Sequence, residues 1–298
     1  MGYSQRVEEL LRKRRRVAKR VCEAFENHPT VSSILVFGSV ASGHVDEYSD
    51  VDVLVICQPE IPSLADRTSL LSSIGERWLF HDTLDDNRLF AERDTDGLIE
   101  DVLVTVHYQT ASWISEVLNE VLDQGAITTE KLPFRPYTLP ALLQRAWLLF
   151  DKNKLVQHWR ERAIVFPRQL KLNLLRHFVP RLRENAAELK ASAERSLGPR
   201  AFLFHLNWAV DAMTGILYAL NEIYDPADRR AERTVLPTLH QVPRDFISQL
   251  IEILEGPFDD SGARYRAQLF GRLVGEVLEM AEVSLTPPRA TDTRPPAR

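Results

Sequence analysis

Ile34-Leu-Val-Phe-Gly-Ser-Val-Ala-Ser-Gly-His-Val-Asp-Glu-Tyr-Ser-Asp-Val-Asp-Val-Leu-Val-Ile56 decides how the chain is read. A β-branched apolar run enters Gly38-Ser39, ten residues follow, and a second apolar run opens with Asp50-Val51-Asp52. Gly38 has no Cβ, so the backbone can turn sharply there and let a bulky anion come close. A short helix starting at that turn would offer unpaired N–H groups and a positive dipole end, which with the Ser39 hydroxyl make a phosphate cradle. Asp50 and Asp52 lie two apart on a predicted strand, so their side chains share one face with Cβ atoms about 6.5 to 7 Å apart. Carboxylates so placed suit hard cations such as Mg²⁺, including a pair about 3.5 to 4 Å apart that clamps attacking and leaving oxygens. Val51 and Val53 then face the core.

Upstream, residues 3–27 place Val7, Leu10, Leu11, Val17, Val21 and Phe25 on one face of an amphipathic helix. Its remaining surface carries Arg12, Lys13, Arg14, Arg15, Arg16, Lys19 and Arg20, read first as a solvated face and second as an RNA contact. Downstream, Ser63–Phe80 reads as a crossover helix and Val102-Leu-Val-Thr-Val-His-Tyr108 as a third strand, beside Val31–Phe37 and Val51–Cys57. This first part is mixed α and β. The proline-rich segment Leu132–Pro140 reads as a connection. Helical periodicity then fills Thr138–Leu149, Leu155–Ala163, Pro167–Ser196, Arg200–Ile223, Pro243–Leu254 and Gly262–Val283, the pattern of a helical bundle. The expected division is residues 1–128, 129–285, and a disordered tail at 286–298.

The composition of the 298 residues, 44% hydrophobic and 27% charged, is that of a globular protein and excludes fibrous and low-complexity classes. A charged N-terminus and the lack of a long apolar run predict a cytoplasmic location. Cys22 and Cys57 fit neither a disulfide framework nor zinc spacing, and a net charge of -5 argues against a dedicated nucleic-acid binder.

Phe37-Gly38-Ser39, ten residues, then Asp50-Val51-Asp52-Val53 resembles the signature of the nucleotidyltransferase superfamily. The resemblance implies an α+β fold, a mixed sheet with flanking helices, followed here by a helical domain as in aminoglycoside and lincosamide nucleotidyltransferases. It also implies that Asp50 and Asp52 are the metal ligands for Mg²⁺ and that Gly38 and Ser39 hold the outer phosphates of a nucleoside triphosphate, with ATP expected. The implied reaction moves a nucleoside monophosphate to a small-molecule hydroxyl. A toxin-like enzyme acting on tRNA or protein, and a non-catalytic nucleotide-binding protein, are the alternatives.

Many members carry a third carboxylate on a later strand, where this chain has Thr105. Period-two alternation puts Asp101, Thr105 and His107 on one face, so Asp101 is the first candidate to replace it and Glu100 the second. Glu92 is a further candidate base, and His107 is another group able to approach the site. Arg200–His205 and Arg233–His240 both match the Arg-to-His spacing of HEPN ribonucleases, a permissive pattern in which His205 reads as structural. Lys171, Asn221, Tyr224, Arg229 and Arg230 read equally as helix-end solvation or as contacts to substrate, and Trp113, Trp147, Trp159 and Trp208 as core.

Overall fold

The structure is a computed structural model that describes residues 3–82, 91–132, 134–227, 230–257 and 259–286. The chain begins with α1 (Tyr3–Phe25), β1 (Val31–Phe37), the single-turn α2 (Gly38–Ser42), β2 (Val51–Cys57) and α3 (Leu64–Ser72). Next come β3 (Glu76–His81), β4 (Arg93–Ile99), β5 (Val102–Thr110), α4 (Ala111–Gln124), α5 (Thr138–Arg145), β6 (Trp147–Asp151) and α6 (Leu155–Arg162). The six strands form one sheet in the order β3-β4-β5-β2-β1-β6. β2 and β5 run parallel, and every other neighbouring pair is antiparallel.

Alternation along the central strands explains the layering. Val51, Val53, Val55 and Cys57 share a face with Val104, Val106 and Tyr108, and Val17, Val21 and Phe25 of α1 belong to the same buried cluster. Each such side chain contributes about 1.5 to 3 kcal/mol on burial. Both cysteine thiols are pushed up to about 12, chiefly by burial, so they act as apolar fillers. The opposite face buries Leu54 and Ile56 but leaves Asp52, at the start of β2, partly exposed.

Three expectations change. The crossover helix stops at Ser72, and Glu76–His81 is a strand, because a β3–β4 hairpin gives Trp78 a place to pack over Gly97, where a Cβ would overlap the indole. Thr138–Leu149 is not one helix either. It breaks at Ala146 so that β6 can pair with β1, and Asp151 then caps α6, accepting from Val156 N at 3.3 Å and from Ser33 Oγ at 2.8 Å. Strand β4, with Arg93, Asp94 and Asp96, was not expected at all. The compact α/β unit accordingly comprises Met1–Pro167 with Tyr224–Asp228, whereas the sequence places its end at residue 128.

The second unit, Arg168–Ile223 with Arg229–Arg298, is helical. It contains α7 (Arg168–Glu194), α8 (Pro199–Leu220), α9 (Ala231–Thr234), a 3₁₀ turn at Leu236–Thr238, α10 (Phe246–Glu255) and α11 (Asp260–Leu285). Helices α7, α8 and α11 pack on one another through buried Phe178, Leu182, Met213, Ile216, Phe270 and Leu273. Arg266 is fully buried, donating to the carbonyls of Ile253, Leu254 and Pro257 at the end of α10 with its guanidinium 4.8 Å from the Phe202 ring. Asn221 and Lys171 are absorbed structurally in the same way. Asn221 accepts from His240 N and Gln241 N, and Lys171 pairs with Glu222. The His205 ring stands nearly perpendicular to that of Phe204, with ring centres 5.2 Å apart. The expected disordered tail lies, beyond Thr286, outside the described residues. Among the described residues no helix is long and apolar enough to cross a membrane.

Candidate active site

The site forms where β1 ends and β2 begins. Gly38 sits at φ +66° directly after Phe37, which pairs with Asp52 across the ladder. A Cβ on Gly38 would lie 2.6 Å from Asp52 Oδ2, so the missing side chain is the space that the carboxylate uses. Ser39 follows, and its Oγ is buried without a hydrogen-bond partner among the described residues. A shielded hydroxyl of this kind costs about 1 to 3 kcal/mol unless a ligand satisfies it.

Arg14, only 4% exposed, fixes the approach to Asp50. Its Nε donates to Ser49 O at 2.6 Å and its Nη2 to Glu47 O at 3.2 Å, pinning the segment before the aspartates. Burial lowers the Arg14 pKa, while the nearby Asp46 and Asp50 favour its charge. Three other basic residues of α1 are also engaged: Arg16 and Arg20 pair with Glu100 at 2.6 and 3.1 Å, and Arg15 lies 5.5 Å from the Trp147 ring centre.

The register places Thr105 directly beside Asp52, and Asp96 beside Thr105. Thr105 Oγ1 donates to Asp96 Oδ1 at 2.7 Å, and His81 Nε2 lies 3.0 Å from Asp96 Oδ2. One pair further along, His107 Nδ1 bonds Asp94 Oδ1 at 2.7 Å while its Nε2 faces Asp52 Oδ1 at 3.9 Å. Phe37 covers the same imidazole, with ring centres 5.3 Å apart. Burial by itself would lower the His107 pKa, but Asp52 and Asp94 outweigh it and raise it to about 9.

That shift has a sign that can be measured on metal-free protein. His107 titrates near 6.5 when unfolded and about 9 when folded. The stabilisation is therefore complete below about pH 6.5 and lost as pH rises through 9. Urea unfolding in chelator at pH 6 and pH 9.5 should differ by on the order of 2 kcal/mol, and His107→Gln should remove most of the difference. Equal slopes with pH in the two proteins would refute the assignment.

The structure brings Gly38, Ser39 and Asp52 together, with Asp50 just ahead of β2. It does not bring Asp101 to them. Glu100 and Asp101, at φ 51° and 59°, form the two-residue turn that joins β4 to β5, the backbone of a type I′ hairpin for which Asp is well suited. Asp101 is four residues from Thr105, roughly 13 Å along the strand. Glu100 is held below the usual carboxylate range, chiefly by its bond from Arg16, which leaves it unsuited to accept a proton at neutral pH. Glu92 precedes β4 and lies 3.9 Å from Arg93 Nε. Asp94, Asp96 and His81 were missed, although Asp94-Thr95-Asp96 repeats the two-residue spacing of Asp50-Val51-Asp52.

Among the described residues no group of three His, Cys, Asp or Glu side chains forms a metal cluster. Two carboxylates nonetheless fit Mg²⁺, which is generally held by one or two of them, with phosphate oxygens and water completing the shell. The buried, unpartnered Ser39 hydroxyl fits a phosphate-bearing ligand beside that pair.

Residues 14–134 match the nucleotidyltransferase domain family, and this match supports assigning that stretch to the nucleotidyltransferase superfamily. Its class of activity is nucleotidyl transfer, with a nucleoside triphosphate as substrate and usually a divalent metal. Among solved structures, a nucleotidyltransferase-like protein from Exiguobacterium sibiricum 255-15 is similar over 91% of this chain and 76% of its own, at 12% identity and a TM-score of 0.45. No curated protein matches the chain.

Proposed function

We propose that the chain transfers a nucleoside monophosphate, AMP from ATP, to a hydroxyl of a small molecule and releases pyrophosphate, acting in the cytoplasm. The observation that carries this reading is the meeting of Gly38, Ser39 and Asp52: a glycine gap filled by a carboxylate, beside a buried hydroxyl without a partner. On this reading Asp50 and Asp52 hold Mg²⁺, which neutralises charge on the reacting phosphate oxygens. The Ser39 hydroxyl donates to the outer phosphates and orients the leaving pyrophosphate, and Arg14 keeps the Asp50 segment in place. His107 and Gly38 fix the Asp52 carboxylate from its two sides.

A small acceptor is favoured over tRNA because four of the seven basic residues at positions 12–20 of α1 have contacts within the fold: Arg14 is buried, Arg16 and Arg20 are paired, and Arg15 is stacked. The test is pyrophosphate release from each of the four nucleoside triphosphates with Mg²⁺, using water alone, aminoglycosides, lincosamides and bulk tRNA as acceptors. Release dependent on an aminoglycoside or lincosamide is the expected result. Release only with tRNA would overturn the small-molecule reading, and nucleotide binding without turnover on any acceptor would overturn catalysis.

A further inference from the structure

The strand order lays the functional groups out along one line across the sheet. The Gly38–Ser39 turn ends β1, Asp50 and Asp52 open β2, Thr105 and His107 lie on β5, Asp94 and Asp96 on β4, and His81 on β3. In-line displacement at phosphorus puts the attacking and leaving oxygens on opposite sides. With pyrophosphate leaving toward Gly38 and Ser39, the acceptor hydroxyl must approach from the β5 and β4 side. The group that takes its proton has to stand there.

Asp96 is at the required height and reach. Asp52, Thr105 and Asp96 are in register, so Asp96 lies two strand spacings, about 10 Å, from Asp52. That interval would accommodate a cation held by Asp52, the phosphate and the acceptor hydroxyl. The carboxylate is also held in one orientation, with Oδ1 accepting from Thr105 Oγ1 at 2.7 Å and Oδ2 3.0 Å from His81 Nε2, yet its side chain is 38% exposed. Asp94 is less suited, because it lies level with Leu54, is 17% exposed, and is bonded to His107 Nδ1.

We infer that Asp96 receives the proton of the acceptor hydroxyl, with Thr105 and His81 as positioning residues, so that the carboxylate absent at position 105 is supplied from one strand further out. This rests on the transfer reading above. In the step, the acceptor O–H bond breaks and its electron pair forms the new bond to the α-phosphorus. The bond from that phosphorus to the pyrophosphate oxygen breaks with its pair, and the proton goes to the Asp96 carboxylate.

The test compares Asp96→Asn and Thr105→Val with the unaltered chain, in pyrophosphate release on the best acceptor of the panel, or on water, and in equilibrium binding of Mg²⁺ and nucleotide. Thermal melts confirm that each variant folds. Asp96→Asn should lower kcat by about 10² to 10⁴-fold while nucleotide affinity stays within about twofold, and Thr105→Val should lower kcat by a smaller factor with the same unchanged affinity. Turnover by Asp96→Asn within twofold of the unaltered chain would overturn the inference alone. A matching loss of nucleotide binding would overturn it too, by making Asp96 part of the nucleotide site. If the unaltered chain releases no pyrophosphate on any acceptor, the transfer reading fails and takes the inference with it.

Discussion

Asp52→Asn should abolish nucleotidyl transfer, with pyrophosphate release falling by about 10³-fold or more. Removing one of the two carboxylates proposed to hold the metal would forfeit several kcal/mol of charge stabilisation, and each 1.36 kcal/mol corresponds to a factor of ten. The isosteric amide keeps the fit against Gly38, where the Asp52 carboxylate occupies the space of the missing Cβ. It loses the charge that faces His107 at 3.9 Å. Nucleotide titrations with and without EDTA separate the two effects: the unaltered chain should bind more tightly with Mg²⁺, and the variant should show little difference. A variant whose affinity still depended on Mg²⁺ and whose turnover persisted would show that Asp52 is not a metal ligand.

Gly38→Ala should be nearly as severe, for a reason of shape. The residue lies at φ +66°, where an alanine costs more than about 1 kcal/mol relative to glycine, and its Cβ would stand 2.6 Å from Asp52 Oδ2. Since β1 and β2 are fixed by their ladder, the carboxylate has to move. A displacement near 1 Å at such a site costs about 10²-fold in rate. Gly43 provides the control, because it also has a positive φ, 78°, but nothing lies within 4 Å of its would-be Cβ. Gly43→Ala should lower the melting temperature while leaving turnover within a few fold. Equal losses of turnover in the two variants would mean that backbone strain in the turn matters, and not the space beside Asp52.

The centre of the sheet was legible in the sequence because β1 and β2 are buried on both faces and read as apolar runs, while β5 alternates buried Val102, Val104, Val106 and Tyr108 with less buried residues: Val31–Phe37, Val51–Cys57 and Val102–Tyr108 all lie in strands. The outer strands were not. Arg93-Asp-Thr-Asp-Gly-Leu-Ile99 carries charge and glycine at positions that usually signal a loop, and it becomes a strand through pairing with β5. Trp147-Leu-Leu-Phe-Asp151 is a short apolar run that period alone cannot assign, and its first three residues read as the end of the helix Thr138–Leu149. The same blindness hid half of the candidate site. Gly38, Ser39, Asp50 and Asp52 are local in the chain and visible as a motif, whereas Asp96 reaches Thr105, and His81 reaches Asp96, only through the pairing of strands that the sequence did not reveal. Asp101 looked attractive because alternation was extended through a turn, and at φ 59° that turn ends the alternation.

Strand β6 has a bearing on how the chain can be divided. Residues 147–151 hydrogen-bond along the outer side of β1, from Ser33 opposite Asp151 to Val36 opposite Trp147. They lie outside the matched stretch of residues 14–134. A fragment cut to that stretch would keep every residue of the motif and yet present β1 as a bare, apolar sheet edge, the kind of surface on which strands of other molecules add and aggregate. Soluble expression of the α/β unit thus depends on carrying the chain through α6, so its functional boundary is set by the need to shield one strand and not by the extent of the catalytic motif.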